Sequence, residues 1–242
     1  MSKRTIRDLN IDGKRVLVRV DFNVPLNADG SIADDMRIRK ELPTLRSILK
    51  LNASVILMSH LGRPVMDSKR DQNLKMDRVA DRLRKLLPDV HVEKCDEVVG
   101  SKATAMAERL KPGEILVLEN LRFNDGEKKG DETFASKLRE LGDFYVNDAF
   151  GTCHRKDASM VAVPNKFPKG NRAIGFLVEK EISVLDGLLK NPKRPAVAIL
   201  GGSKISDKLG VIVNLLSHFD QVLIGGALSY TCLKAIGVPV GA

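Results

Sequence analysis

The amino-acid sequence predicts an α/β protein: a Rossmann-like parallel sheet with helices on both faces, followed by an incomplete second α/β domain. Three observations support this prediction. Short runs of Val, Ile and Leu alternate with longer segments whose apolar residues recur at helical spacing. The runs are apolar at consecutive positions, which is typical of parallel strands buried on both faces. Hydrophobic residues also make up 43% of the 242 positions, enough for a sizeable core.

The first part of the chain follows a strand–helix order. We predict strands at residues 16–20, 54–58, 90–92, 115–118 and 144–146. We predict helices at residues 37–50, 74–87, 102–110, 132–141 and 179–189. The helix at 37–50 illustrates the pattern, because its apolar residues lie three or four positions apart and share one face. They are Ile38, Leu42, Leu45 and Leu49.

A domain boundary is predicted at Asn-Pro-Lys-Arg-Pro, residues 191–195, because proline interrupts both helices and sheets. We therefore predict a first domain over 1–177, an interdomain helix and linker over 178–194, and the truncated start of a second domain over 195–242. The predicted elements of that second domain are strands at 196–200 and 221–224 and helices at 206–216 and 228–236. Two strands make a poor independent sheet, so we expect these residues to be poorly ordered or aggregation-prone.

Charge and composition favour small anionic partners. Lys and Arg number 40 against 31 Asp and Glu, a net charge of +9 that is spread along the chain. Nucleic-acid binding is disfavoured, because aromatic residues make up only 4% and there is no Trp for base stacking. The sequence has no apolar run long enough for a membrane span or a signal peptide. Its three widely spaced cysteines form no metal motif, so we expect a cytoplasmic protein with reduced thiols.

Polar clusters follow several of the predicted strands. They contain Asp21 and Asn23, His60 and Arg63, Arg122, and His154 with Arg155, while Arg37 begins the first long helix. The carboxyl ends of parallel strands meet at one edge of a sheet, where ligands of such sheets bind. Guanidinium groups bind phosphate and carboxylate oxygens in pairs. The pattern therefore predicts a site for a small polyanion, although each arginine alone is more typical of a solvated surface charge.

A second candidate site follows the strand at 196–200. Gly201 and Gly202 allow the backbone to approach phosphates, and the next helix begins there. Lys204 and Lys208 are one helical turn apart and can face the same phosphate chain. The spacing matches neither a Walker A loop nor a dinucleotide fingerprint. A tight turn with surface lysines is nearly as good an interpretation, and Gly225, after the next strand, permits close packing as well as ligand binding.

Five segments in order resemble the signature blocks of the phosphoglycerate kinase family and cover essentially the whole chain. They are Arg-Val-Asp-Phe-Asn-Val-Pro at 19–25, Met-Ser-His-Leu-Gly-Arg-Pro at 58–64, Glu-Asn-Leu-Arg-Phe at 119–123, Asn-Asp-Ala-Phe-Gly-Thr at 147–152 and Leu-Gly-Gly-Ser-Lys-Ile-Ser-Asp-Lys at 200–208. The resemblance implies reversible phosphoryl transfer between ATP and the carboxylate of 3-phosphoglycerate, a step of glycolysis and gluconeogenesis, by a monomer that uses Mg²⁺.

The resemblance also implies roles for single residues. Arg37 and Lys204 are the expected catalytic residues. The residues expected to bind 3-phosphoglycerate or 1,3-bisphosphoglycerate are Asp21, Phe22, Asn23, Arg37, His60, Leu61, Gly62, Arg63, Arg122 and Arg155. Those expected to bind ATP or ADP are Gly201, Gly202, Lys204, Lys208 and Gly225. No metal ligand is expected in this chain, because the family's acidic ligand belongs to its C-terminal part.

Two departures from the family pattern leave alternatives open. Asp157 stands where the family usually has a second histidine after the His-Arg pair. The remaining C-terminal half of the family, with most of the adenine pocket, is not in this chain. One alternative is therefore a catalytically inactive fragment that only binds 3-phosphoglycerate. Another is a basic nucleic-acid-binding protein, whose affinity would fall steeply with salt.

Overall fold

The computed structural model describes residues 3–65, 72–202 and 208–241. The chain divides into two compact units, Met1–Glu181 and Ile182–Ala242. The predicted domain limits of 1–177, 178–194 and 195–242 stay predictions. Among the described residues no helix combines the length and the apolarity that crossing a membrane requires.

The first unit is built on a six-stranded parallel sheet. Its strands are β1 (Arg15–Arg19), β2 (Ser54–Met58), β3 (Val92–Lys94), β4 (Ile115–Val117), β5 (Phe144–Asn147) and β6 (Arg172–Ile174). Their order across the sheet is β3-β4-β2-β1-β5-β6. In the central pair, Arg15 lies opposite Ser54 and Arg19 opposite Met58. This sheet confirms the predicted fold class.

Helices connect the strands. They are α1 (Met36–Lys50), α2 (Asp77–Leu86), α3 (Ser101–Arg109), α4 (Asp125–Lys129), α5 (Glu132–Glu140), α6 (Ala162–Asn165) and α7 (Phe176–Lys190). Short 3-10 turns lie at Ile6–Asp8, Gln72–Leu74, Leu121–Phe123, Phe150–Thr152 and Lys169–Asn171. The side chain of Asp131 caps α5 by accepting a hydrogen bond from the backbone of Phe134.

The sheet separates two apolar layers, which explains the continuously apolar strands. Val16 and Val18 of β1 pack into the layer that contains Ile38 and Leu45 of α1. Leu17, between them, points into the opposite layer, which contains residues of α3 and α5. Because successive side chains of a strand point to opposite faces, a strand covered on both sides is apolar at every position.

Several elements of the first unit differ from the sequence-based expectation. The short helices α4 and α6 were not predicted, and the helix expected at 179–189 begins at Phe176. The helix expected at 74–87 begins only at Asp77, because Gln72–Leu74 forms a 3-10 turn. The strand expected at 90–92 is shifted to Val92–Lys94, since the Val90 backbone donates to Leu87 and closes a turn after α2. The edge strand β6 was not predicted. It is three residues long, too short to show a clear pattern.

The second unit contains a parallel two-stranded sheet. Strand β7 (Val197–Gly201) pairs with β8 (Gln221–Gly225), and the helices α8 (Leu209–Leu216) and α9 (Ala227–Ala235) follow them. Residues 206 and 207 of the helix predicted at 206–216 lie outside the described residues. Apolar side chains on this small sheet are exposed, with Ile199 at 79% and Leu223 at 51%.

Candidate functional site

The topology places four of the predicted polar clusters side by side. Strands β4, β2, β1 and β5 are neighbours in the sheet, and all run in the same direction. Asp21 follows β1, His60 follows β2, Arg122 follows β4 and Arg155 follows β5. Arg37 is the second residue of α1. These residues, which the structure brings to the carboxyl edge of the sheet, are called the anion site below.

His60 lies at the centre of the anion site and is 2% exposed. Its Nδ1 is 3.2 Å from Nη2 of Arg19. A guanidinium group can only donate hydrogen bonds, so Nδ1 of His60 must accept. The neutral imidazole therefore carries its proton on Nε2, which leaves that atom as a hydrogen-bond donor.

Electrostatics keep His60 neutral. Burial lowers the pKa of His60 from its ordinary value to about 2, and four nearby guanidinium groups add to the shift. In order of effect they belong to Arg19, Arg122, Arg155 and Arg37. The same positive charges that suppress protonation of the ring make the surrounding space favourable for an anion.

Arg19 is held inside the sheet by a buried relay that the sequence-based prediction missed. The side chain is fully buried, and its Nε donates to Oγ of Ser159 at 2.8 Å. Ser159 in turn donates to Oε1 of Glu127 at 2.5 Å. Burial raises the pKa of Glu127, and the positive charge of Arg19 opposes that rise. A signal was available in the sequence, because a charged residue within the apolar strand 16–20 requires a partner.

Asp21 holds Arg37 at the edge of the site. Nη1 of Arg37 donates to Oδ2 of Asp21, which is largely buried while half of the Arg37 side chain remains exposed. Gly151 leaves room for this pair because it has no side chain. A Cβ atom at Gly151 would lie 2.8 Å from Oδ2 of Asp21, closer than real contacts allow.

Asn23 and Arg122 both form hydrogen bonds with the backbone of Gly62. The backbone N–H of Gly62 donates to Oδ1 of Asn23 at 2.7 Å, and the Gly62 carbonyl accepts from Nη1 of Arg122 at 2.7 Å. Gly62 has a φ of +62°, a conformation that favours glycine. Gly62 thereby positions the side chains of Asn23 and Arg122, and each of these side chains still has N–H groups that this contact does not use.

Two arginines retain unsatisfied donors. Within the described ranges, the buried Nε groups of Arg122 and Arg155 have no hydrogen-bond partner. Burial lowers the pKa of Arg122, the charge of Arg155 adds to this effect, and the Asp157 carboxylate opposes it. Buried polar groups in proteins are almost always paired. The two unpaired guanidinium N–H groups therefore indicate a ligand with acceptor oxygens.

In the second unit, the glycine turn after β7 contacts the glycine turn after β8. The carbonyl of Gly202 accepts from the backbone of Leu228 at 2.8 Å, and a Cβ atom at Gly226 would be 3.5 Å from that carbonyl oxygen. A Cβ at Gly202 would be 2.8 Å from Nζ of Lys208. Of the residues predicted here, Gly201 ends β7, Gly225 ends β8, and Lys204 lies outside the described residues.

Comparison with known proteins identifies the relatives of this chain. The sequence model of the family described as "Phosphoglycerate kinase" matches residues 6–242, almost the entire chain. The chain belongs to the phosphoglycerate kinase family. It is 52% identical over 241 residues to phosphoglycerate kinase of Rhodopirellula baltica and 49% identical over 241 residues to that of Aquifex aeolicus. The two alignments cover all of this chain but only 60% and 59%, respectively, of those proteins.

Solved structures of phosphoglycerate kinases share the fold. The enzyme of Coxiella burnetii superposes with a TM-score of 0.82 at 34% identity, covering 99% of this chain and 59% of that one. The enzyme of Pyrococcus horikoshii OT3 gives a TM-score of 0.83 at 34% identity, covering 98% and 59%. The chain therefore spans about three fifths of the length of these phosphoglycerate kinases.

The substrate-binding residues that the phosphoglycerate kinase resemblance predicts differ in burial and in hydrogen bonding. Asn23 and Arg122 both form hydrogen bonds with Gly62, and Asp21 pairs with Arg37. Phe22 and Leu61 are buried at 0% and 1% exposure, so their side chains pack in the core while their backbones border the site. Arg63 is exposed and lies next to Gly62.

Two cavities of the first unit differ in their suitability for a ligand. One, of about 570 Å³, borders the anion site and is lined by Asn23, Val24, Pro25, Asp34, Met36 and Arg37. A larger one, of about 690 Å³, lies between residues 31–35 and α2. There Arg82 already pairs with Asp35 at 2.7 Å. We take the smaller cavity as the candidate ligand site because Asn23 and Arg37 of the predicted substrate site line it.

A metal site is not evident in the part of the chain that the structure describes. Within residues 3–65, 72–202 and 208–241, no group of three or more His, Cys, Asp or Glu side chains is arranged to hold an ion. These residues therefore do not supply a complete ligand set for Mg²⁺.

Proposed function

We propose that the anion site binds 3-phosphoglycerate, and that the whole protein is a phosphoglycerate kinase that transfers a phosphoryl group reversibly between ATP and the substrate carboxylate. One observation supports this proposal above the others: four arginines surround a neutral histidine, and two of them keep buried N–H groups that find no partner among the described residues. A phosphate ester and a carboxylate on one small molecule would use such donors in pairs.

The proposed chemistry needs positioning and charge more than proton transfer. The acceptor is already a carboxylate, so no general base is required, and phosphoryl transfer depends on alignment and on stabilising the transferred charge. Asp21 holds one side of Arg37, and the exposed remainder of that side chain is free to contact the transferred group. Neutral His60 would donate from Nε2 to the substrate.

The second unit would hold the nucleotide. We assign ATP or ADP to the turns that contain Gly201, Gly202 and Gly225, with Lys208 on the phosphates and Lys204 on the transferred group. The proximity of the Lys208 ammonium to Gly202 supports the assignment, because Nζ lies 2.8 Å from the position that a Cβ atom of residue 202 would take and so brings a cation to the glycine turn. Mg²⁺ would neutralise the charge of the nucleotide phosphates. The family relationship further suggests a cytoplasmic monomer that acts in glycolysis and gluconeogenesis.

The second candidate function is binding of 3-phosphoglycerate without turnover. It is favoured by one observation, the coverage of only 59–60% of the related kinases. Residues outside this share would have to provide the rest of the nucleotide site. The two candidates agree about the anion site and differ only in whether the 242-residue chain turns over ATP.

Calorimetric titration of 3-phosphoglycerate into the 242-residue chain tests the anion site. Arg122→Ala should weaken binding by about 1.5–3 kcal/mol, the usual worth of a hydrogen bond to a charged group. Arg46→Ala is the matched control, because Arg46 is an exposed arginine that pairs with Asp89. Equal affinity of the Arg122 variant and the wild type would contradict the assignment. A steep salt dependence of binding to generic DNA would instead favour a nucleic-acid partner.

A further inference from the structure

Two acidic side chains lie in the core beneath the anion site. Glu41 of α1 and Asp148, which follows β5, are both 0% exposed. Within the described residues neither oxygen of Glu41 has a hydrogen-bond partner, and Oδ2 of Asp148 has none either. Two carboxylates can only accept hydrogen bonds, so an ionised pair leaves three oxygens unsatisfied. Such a pair is costly unless one member carries a proton.

The neighbours of the pair are on four elements. Oδ1 of Asp148 accepts from the backbone of Val178, in the first turn of α7, at 3.0 Å. The backbone N–H of Asp21, after β1, faces Glu41. Thr44, one turn later on α1, accepts from the backbone of Phe176 at 2.9 Å. The charged groups facing Glu41 are thus the carboxylates of Asp148 and Asp21, the latter paired with Arg37.

We propose that Glu41 carries a proton that it donates to Oδ2 of Asp148, and that this bond makes Glu41 a positioning residue for the anion site. Glu41 lies one helical turn after Arg37, so both side chains project from the same face of α1. The bond ties that helix to the end of β5 and the start of α7. The inference rests on the proposed function, because the groups it positions are Arg37 and Asp21.

The local chemistry agrees with a neutral glutamic acid. Burial raises the pKa of Glu41 well above its ordinary value, and the negative charge of Asp148 contributes further. The folded chain therefore holds this proton at pH values where the unfolded chain has lost it. The contribution of this proton to stability is complete below the ordinary pKa of a glutamate and is lost as the pH rises to the raised pKa, with a tenfold fall in the folding equilibrium constant per pH unit.

The protonation state can be measured directly in the wild-type chain. With ¹³C-labelled glutamate side chains, the carboxyl resonance of Glu41 should titrate well above the ordinary pKa of a glutamate. Glu41→Gln assigns the resonance by its disappearance. Asp148→Asn should move the titration of Glu41 to lower pH, because it removes the neighbouring negative charge. Titration of Glu41 together with the exposed carboxyls would overturn the proposal.

The positioning role needs variants that separate the donor from the charge. Glu41→Gln keeps a donor that never ionises, so its affinity for 3-phosphoglycerate should match the wild type at low pH and fall less as the pH rises. Glu41→Met keeps the volume but loses the donor, and should bind about tenfold more weakly than the wild type at low pH, where Glu41 carries its proton. Comparing variants with the same ligand cancels the titration of the phosphate itself. Glu140→Gln, an exposed change, should follow the wild type.

A second measurement separates this inference from the proposed function. The ¹⁵Nη1 resonance of Arg37 reports the geometry of the Arg37–Asp21 pair without any ligand, because Nη1 donates to Asp21. It should move in Glu41→Met and stay in place in Glu41→Gln. If no chain binds 3-phosphoglycerate, the proposed function fails, and this resonance still decides the positioning role. An unmoved resonance in Glu41→Met, or wild-type affinity in that variant, would overturn the inference.

Discussion

At the scale of single residues, the anion site depends on a histidine that must stay neutral. Arg19 fixes the ring through Nδ1, and the surrounding arginines suppress its protonation. A positively charged imidazole would attract an anion more strongly, but it would have no acceptor for Arg19. The arrangement therefore uses His60 as an oriented donor and leaves the positive charge to arginine, which never loses its proton in this range.

The neutral state of His60 has a measurable effect on stability. The unfolded chain binds a proton at His60 below about pH 6.5, whereas the folded chain does not until about pH 2. The contribution of this residue to stability is thus complete above the unfolded pKa and is lost as the pH falls. From pH 7 to pH 5 the wild type should lose about 2 kcal/mol more unfolding free energy than His60→Gln.

Urea unfolding of both chains at the two pH values provides the measurement. ¹⁵N NMR gives a direct check, since Nδ1 of His60 should remain an unprotonated acceptor between about pH 5 and 8, the range in which an unperturbed imidazole changes its charge. A ring that gains a proton in that interval would contradict the described geometry.

At the scale of elements, the start of α7 is packed against the site with no spare room. A Cβ atom at Gly175, directly before the helix, would lie 2.2 Å from Cγ of the buried Asp148. Asp148 also holds Val178 at the beginning of the same helix. The carboxylate of Asp148 thus anchors the start of α7, and this close packing requires a residue without a side chain at Gly175.

Two glycine substitutions separate this close packing from helix propensity. Gly175→Ala should destabilise the folded chain by about 1–3 kcal/mol, because a buried side chain has to move. Gly187→Ala, within α7 where no atom lies within 4 Å of the added Cβ, should stabilise the helix by about 0.5–1 kcal/mol. Denaturant unfolding of the two variants gives the comparison. Equal effects of both would show that contact with Asp148 is unimportant.

At the scale of the whole molecule, the two units differ in how much of their apolar surface they bury. In the first unit, β2 and β4 are buried at every residue. In the second unit, β7 and β8 alternate between exposed and half-buried residues. An isolated two-stranded sheet is marginally stable in water, because it buries too little surface to offset the loss of chain entropy.

This contrast predicts a difference in local stability. In hydrogen–deuterium exchange with mass spectrometry, peptides from β1, β2 and β4 should exchange slowly, and those from β7 and β8 should exchange many times faster. Raising the protein concentration should protect the second unit if its exposed apolar residues associate. Equal protection of both sheets in a dilute sample would contradict this expectation.

Catalytic activity of the 242-residue chain is the second test at this scale. We expect no sustained ATP-dependent turnover, since transfer needs a closed site in which both substrates are aligned and water is excluded. A coupled assay with 3-phosphoglycerate and ATP provides the measurement. Sustained turnover that Arg37→Ala abolishes would refute the expectation and exclude a contaminating host enzyme.

Local patterns determined much of this protein. The strand at 54–58 was predicted with its observed limits, because the apolar run at 55–58 and the polar segments around it are visible in the sequence alone. The parallel sheet followed from the alternation of strands and helices, and family membership followed from five ordered sequence blocks. Convergence of Asp21, His60 and Arg122 was predictable in outline, since all follow strands that end at one edge of the sheet.

Only the tertiary structure decided which side chains share a proton or a hydrogen bond. Arg19 and Ser159 are separated by 140 residues along the chain, and no local pattern links them. In the sequence Glu41 is indistinguishable from any other helical glutamate, whereas in the structure it is buried next to Asp148. The physical reason is that desolvation and pairing depend on groups brought together from distant segments, whereas periodicity records only which face of an element is buried.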